Sequence, residues 1–172
     1  MLRSILLNLF SLILPLIVLV LVPLWLEPRL AQVLFSAEFA AADRGGRQFV
    51  AGAGVMLIGL LIMGHTIASF IRIGRGTLAP WSPTRKLVVE GLYAHVRNPM
   101  ILGVLIVLLG EALAPASWRI LAWALVFFLT NTLYFVVSEE PGLERRFGEE
   151  YRRYKMNVPR WMPRLRPWRP SP

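Results

Sequence analysis

The chain has 172 residues, no cysteine, two histidines and a formal net charge of +9, with 56% hydrophobic residues. The length fits one domain, and a mean hydropathy of +0.56 excludes an ordinary soluble globule in favour of an integral membrane protein. Without cysteine there is no disulfide framework, thiolate zinc site or catalytic cysteine, and His65 and His95 alone argue against a metal site.

Four apolar segments follow in chain order, at residues 5–26, 49–71, 100–113 and 118–137. The first, second and fourth are long enough for a hydrocarbon core of roughly 30 Å at about 1.5 Å per residue. The third is short, with Pro99 at its start and Ala114-Pro115 at its end, which implies local thinning or a site recessed into the bilayer. The first segment opens near Arg3 like a signal peptide. Its apolar run is about twice the usual signal core, and Pro15 and Pro23 interrupt it, so a membrane helix is expected. Prolines there are tolerated where neighbours satisfy the freed carbonyls.

Charge sets the orientation. Residues 27–48 balance Arg29, Arg44 and Arg47 against Glu27, Glu38 and Asp43. Residues 74–98 carry Arg75, Arg85, Lys86 and Arg97 against Glu90, and the stretch after Val137 has nine basic and five acidic residues. The positive-inside rule puts both termini and the middle loop in the cytoplasm. The excess charge is read as facing anionic lipid headgroups rather than nucleic acid.

Two cytoplasmic stretches concentrate polar residues. In the first, Gly74, Gly76, Pro80 and Pro83 mark a loop, Gly91 a tight turn, and Asn98-Pro99 the start of the third helix. A helix N-terminus beside Arg97 suits a carboxylate or phosphate; a structural turn with Arg97 on a lipid phosphate is the alternative. In the second, Glu139 and Glu140 lie at the end of the fourth helix, where acids oppose the helix dipole. A cationic ligand group would offset that, as would capping of a further helix with Pro141 at its first position.

Beyond the acidic pair, Leu143, Phe147, Tyr151 and Tyr154 form one stripe of an amphipathic helix, with Glu149 and Arg153 paired on another side. The Pro/Arg-rich end, 163–170, reads as an interfacial tether with Trp161 and Trp168 at headgroup depth. Within the spans, Asn131, Tyr134 and Ser138 form a polar stripe expected to face the bundle or a cavity. Gly103 and Gly110 mark a close-packing face, and His65 is expected to pack. Glu111, near the outer end of the third helix, is left outside the site. Gly52-Ala53-Gly54 with Gly59 has the wrong spacing and setting for a dinucleotide fingerprint.

The two polar stretches also carry a resemblance. LVVEGLYAHVRNPM (87–100) resembles the cofactor motif of the isoprenylcysteine carboxyl methyltransferase and phospholipid methyltransferase superfamily. EEPGLERRFGEEYRRYKMNVPRWMPRL (139–165) resembles its C-terminal signature. The likeness runs over about half the chain, 74–165, with its elements in the family's order. It implies a methyltransferase that uses S-adenosylmethionine without a Rossmann domain. The cofactor would lie at the cytoplasmic face under the loop and the C-terminal helix, with the acceptor entering from the lipid. By motif position Arg85, Lys86, Leu87 and Val88 would line the cofactor loop, Tyr93, Asn98, Pro99, Met100 and Ile101 would continue it, and Glu139 would meet the cofactor from the other side. Arg97 and the first amides of the third helix then suit the methionyl carboxylate, and Glu139 or Glu140 the ammonium group.

Two departures stand out. The family's Arg-His-Pro-x-Tyr reads Arg97-Asn98-Pro99-Met100-Ile101, and Phe135 occupies the place, one turn before the double glutamate, where prenylcysteine enzymes carry an arginine for the substrate carboxylate.

The expectation is an all-α integral membrane protein of about four transmembrane helices, a cytoplasmic loop and a C-terminal amphipathic helix. It forms one methyltransferase domain: an N-terminal hairpin at 1–73, a cofactor-binding and catalytic region at 74–165, and a tail at 166–172. The partners are membrane lipid and a lipophilic or amphipathic acceptor, and the setting is a prokaryotic inner membrane. Arg97 and Glu140 are the candidate catalytic residues, Glu140 as the proton sink if the acceptor is an amine. Phospholipid N-methylation and a non-catalytic membrane scaffold are the alternatives.

Overall fold

The computed structural model describes residues 13–35, 43–69 and 87–169. Among these the chain is helical and contains no strand. The helices are α1 (Ile13–Leu26), α2 (Arg29–Phe35), α3 (Asp43–Ser69), α4 (Pro99–Leu113), α5 (Trp118–Phe147) and α6 (Glu149–Asn157), with a 3₁₀ turn at Gly91–Ala94 before α4. Two stretches are long and apolar enough to cross a membrane, Gly46–Ser69 within α3 and all of α5. The apolar helices α1 and α4 are shorter. The 15 residues of α4 reach roughly 22 Å, less than the hydrocarbon core. Its bounds are those expected from Pro99 and Ala114-Pro115. The outward faces of α3 and α5 expose Leu57, Leu61, Leu125, Leu129 and Leu133, an apolar surface that suits lipid.

The tightest packing joins α3 to α4. A Cβ on Gly52 would lie 2.7 Å from the Gly110 carbonyl oxygen, and one on Gly59 would lie 2.7 Å from that of Gly103. Seen from α4, a Cβ on Gly103 would meet Met63 and one on Gly110 would meet Met56. The pairing of 52 with 110 and 59 with 103 is antiparallel. Backbone lies on backbone, with no room for a side chain. Apolar surface alone gives little drive for helix association in lipid, so this close van der Waals contact is what holds two apolar helices together. The glycine face expected on α4 is therefore matched by a second one on α3. Around it, Val18, Met63, Val104, Val107, Leu108 and Ala124 form the main core.

The prolines are accommodated by π turns. In α1 the residues Ile17–Leu21 are wound as a π-helix, and the Val22 amide bonds the Ile17 carbonyl, five residues back. In that register the next donor, to Val18, would be residue 23, which is proline. The indole N–H of Trp123 supplies the bond instead, 3.1 Å from the Val18 carbonyl. A tertiary contact thus satisfies the carbonyl that proline frees. In α5 a π turn at Phe135–Glu139 comes just before Pro141, so the helix continues through the acidic pair instead of ending there. Such single π turns are frequent at functional sites.

Other side chains depart from the expected placement. Asn131 bonds its own helix at the Phe127 carbonyl (2.8 Å), and Tyr134 and Ser138 are exposed, so the polar stripe does not line the bundle. His65 is also exposed, with Nδ1 3.5 Å from Ser69 Oγ. Glu111 is buried.

Replacing Gly59 or Gly110 by valine forces a side chain into backbone, which costs about 1–3 kcal/mol. Each variant is expected to melt several degrees below wild type in detergent. Gly54→Ala, which faces open space, is expected to stay within about 1 kcal/mol of wild type.

Candidate functional site

The site is built around one carboxylate. Glu140 is buried on the final turns of α5. Its Oε1 lies 2.6 Å from Arg160 Nε and 2.9 Å from Arg97 Nη1, and its Oε2 lies 3.5 Å from Lys155 Nζ. The three cations come from three places: the turn before α4, α6, and the tail after α6. Arg97 is itself nearly buried. A charge in that position has to be paired, so the carboxylate fixes where the three segments meet.

Main-chain bonds repeat the same closure. The Arg97 amide donates to the Pro159 carbonyl (2.9 Å), the Arg164 amide to His95 (3.0 Å) and the Trp168 amide to Ala94 (2.9 Å). The Tyr154 hydroxyl donates to the Tyr93 carbonyl at 2.8 Å, and His95 Nδ1 lies 2.7 Å from the Arg164 carbonyl. The proline-rich tail cannot form a helix. It meets its hydrogen-bonding needs by running along the 93–97 turn. The two tryptophans are half-buried and pack at a tilt on other rings, Trp161 on Phe128 and Phe135 and Trp168 on Tyr154.

The amphipathic stretch after Pro141 is not one straight helix. Gly148, at φ 54° and ψ −125°, adopts a conformation open only to glycine and separates α5 from α6. The apolar stripe nonetheless converges. Leu143 and Phe147 pack on Tyr151, Tyr154 and Val158, joined by Leu87 and Val89. Across the bend Arg152 reaches Glu144 at 2.7 Å. The Glu149–Arg153 pair lies at 3.9 Å with both groups exposed, where it contributes little.

The residues singled out in the sequence lie as follows. Arg85 and Lys86 fall outside the described residues. Leu87 packs on the tyrosine cluster and Val88 is buried. Tyr93 closes the 3₁₀ turn near Glu139 and Tyr154, and burial, then those two neighbours, push its hydroxyl pKa up. Asn98 precedes α4 without a side-chain cap, Pro99 is buried as the first helical residue, and Met100 and Ile101 are half-buried in the first turn. Glu139 is half-buried and makes no hydrogen bond or ion pair among the described residues. Lys155, Arg160, Tyr151 and Tyr154 were not singled out as site residues, although the motif of 139–165 contains all four.

Charge and hydrogen bonding define what this arrangement can hold. Burial, then the Glu140 charge, raise the Tyr151 hydroxyl to about 12, while Arg97 opposes them by charge and by a side-chain hydrogen bond. The hydrogen bond to Glu140 holds the Arg160 guanidinium above its ordinary pKa. Arg97 Nη1 is close to Glu140 but out of line with it. Arg97 Nε and the Trp161 indole N–H are buried without a directed hydrogen bond, while Arg97 Nη1 is held by its ion pair with Glu140. Orphaned donors of this kind fit an anion. Glu139, one residue from the hub and without a cation, fits a positive group. The arrangement thus sets buried cationic donors beside an acid that has no cation. Among the described residues no cluster of metal-ligating side chains occurs.

Glu140→Gln leaves Arg97 and Arg160 without their anion and is expected to cost about 3–5 kcal/mol. Limited trypsin digestion should then cut the tail at Arg160 and Arg164 much faster than in wild type. Glu144→Gln, a more exposed pair, should leave the digestion pattern unchanged.

Known proteins resemble the chain over much of its length. A phospholipid methyltransferase family model matches residues 47–150. A methanethiol S-methyltransferase of Pseudomonas deceptionensis is 32% identical over 130 residues, 69% of this chain and 44% of that protein. The chain thus spans less than half the length of that relative. An uncharacterized protein of Haemophilus influenzae is 40% identical over 65 residues, 37% of this chain and the whole of that protein. No solved structure matches. Since the family match covers more than half of the chain and runs from α3 through the acidic pair, the chain belongs to the phospholipid methyltransferase family.

Proposed function

We propose that this protein is an S-adenosylmethionine-dependent integral membrane methyltransferase acting on a lipophilic or amphipathic acceptor. One observation carries the reading: Glu140 brings Arg97 and Arg160 to the same point while the neighbouring Glu139 stays unpaired. Arg97, with the first amides of α4, would bind the methionyl carboxylate, and Glu139 the ammonium group. Leu87, Val88, Tyr93, Asn98, Pro99, Met100 and Ile101, with Arg85 and Lys86, would complete the cofactor side. Bound there, the cofactor supplies an electrophilic methyl group on a sulfonium, which an acceptor lone pair displaces. The protein's own task is to orient both partners near contact distance and to keep water away from them.

In the membrane we read α1, α3, α4 and α5 as four spans, with both termini and the 74–98 loop in the cytoplasm, a reading the excess of basic residues there supports. A short α4 then recesses Arg97 and the Asn98-Pro99 turn toward the acyl region, within reach of a lipid-soluble acceptor.

Proton balance favours some acceptors over others. A thiol is more acidic than a protonated aliphatic amine and its thiolate is a strong nucleophile, so it needs less help from the protein. The named relative is a thiol methyltransferase, which supports this choice. An amine needs a proton sink, as phospholipid N-methylation would. Glu140 is surrounded by three cations, which makes it a poor sink, so we assign it the organising role and leave Glu139 as the group that could take a proton. Phe135, where prenylcysteine enzymes place an arginine, argues against a prenylated carboxylate.

Titration calorimetry on the detergent-solubilised protein tests the proposal. Saturable binding of S-adenosylmethionine is expected, weakened about 10- to 100-fold by Glu139→Ala and by Arg97→Ala, since each removes a charged hydrogen bond of about 1.5–3 kcal/mol. Failure of folded wild type to bind, with or without lipid, would favour the non-catalytic scaffold. Feeding thiols and ethanolamine phospholipids to the cofactor-loaded protein then separates the acceptors by which product gains the methyl group.

A further inference from the structure

The tail after α6 has two faces. Trp161, Arg164 and Trp168 are half-buried, while Met162, Leu165, Arg166 and Arg169 are exposed. Met162 keeps 79% of its surface exposed and Leu165 97%, and the two exposed arginines have no ion pair among the described residues. The tail also runs beside a helix that is long and apolar enough to cross a membrane. Trp161 packs on Phe128 and Phe135, with ring centroids 5.0 and 5.7 Å apart. Phe128 stands 12 residues before Glu140 on α5, about 18 Å along a helix. Residues 120–138 hold no Asp, Glu, Lys or Arg, and Leu129, Leu133 and Val136 at that level are exposed. Non-helical backbone near acyl chains is tolerated only where its polar groups are provided for. Here Pro159, Pro163 and Pro167 lack an N–H, and the amides of Arg164 and Trp168 are taken by the His95 and Ala94 carbonyls. The main chain is thus equipped to lie at the acyl boundary.

We propose that the exposed face of residues 162–169 docks on the anionic cytoplasmic leaflet of the bilayer, with Met162 and Leu165 in the acyl chains and Arg166 and Arg169 at the lipid phosphates. This rests on the reading of α5 as a span whose acidic end lies in the cytoplasm. Large apolar side chains interleaved with free cations are the pattern of an interfacial anchor. The anchoring side chains are the methionine and the leucine, since both tryptophans are engaged by other rings. Arg160, which holds Glu140 at 2.6 Å, lies two residues before Met162. The bilayer and the Glu140 hub therefore hold the same stretch of tail, and closure of the tail along the 93–97 turn depends on lipid charge.

The chain has no cysteine, so single-cysteine variants take a spin label without background. Met162→Cys and Leu165→Cys are compared with Leu133→Cys on α5 and Glu150→Cys on α6, in nanodiscs of phosphatidylcholine and phosphatidylglycerol. All four replaced side chains are exposed, so the label leaves the packing intact. Relaxation by oxygen, set against relaxation by a water-soluble nickel chelate, reports depth. Labels at 162 and 165 are expected to favour oxygen, as the label at 133 does, and the label at 150 to favour the chelate. A label at 162 or 165 that favours the chelate overturns the proposal. A label at 133 that does so overturns the span reading beneath it. Lipid charge is tested by trypsin cleavage after Arg164. Omitting phosphatidylglycerol is expected to speed cleavage by about fivefold or more, the effect of one arginine at an anionic surface. The double variant Arg166→Gln, Arg169→Gln should be cleaved at the faster rate in both lipids. Equal rates for wild type with and without phosphatidylglycerol would overturn the anionic partner.

Discussion

A carboxylate that stays charged when withdrawn from water must be paired, and the paired state of Glu140 organises this site. Its oxygens collect Arg97, Lys155 and Arg160, which lie far apart in the chain or on separate elements. Single exposed ion pairs contribute little, and such pairs flank this one at Glu144 and Glu149. Burial changes the balance, because any partner removed leaves a charge in a poor solvent. The turn before α4, the bend after α5 and the tail thus close together or not at all.

The helices provide the frame for that closure. Apolar side chains give little preference for protein over lipid, so α3 and α4 associate through glycine faces that bring backbone to backbone. The π turn in α5 shifts the register ahead of Pro141 and carries Glu139 and Glu140 into the site on a continuous helix. The π turn in α1 is matched by Trp123, which donates to the carbonyl left without a partner by Pro23. In α1 the irregular winding is thus made tolerable by its surroundings.

The site's chemistry is one of charge placement. Arg97 Nε lacks a directed hydrogen bond and an acid beside the hub has no cation among the described residues, a pattern that costs stability unless a ligand completes it. Methyl transfer from a sulfonium asks the protein mainly for orientation and a dry setting. A scaffold that arranges two opposite charges at helix ends fits that demand better than one built around a strong base.

Much was legible in the chain itself. Apolar runs marked the long helices, because length and composition alone decide what a bilayer accepts. Pro99 and Ala114-Pro115 bounded α4, because proline's missing N–H acts locally, and the Gly103 and Gly110 spacing marked a packing face. Motif order pointed to the family. Tertiary structure decided what depends on partners distant in sequence: the pairing of that face with Gly52 and Gly59, the return of the tail along residues 93–97, and the choice between two adjacent glutamates. Residues 139 and 140 are chemically identical and one position apart. Only the direction each side chain takes from the helix separates a buried hub from a free acid, and that direction is set by what packs against it.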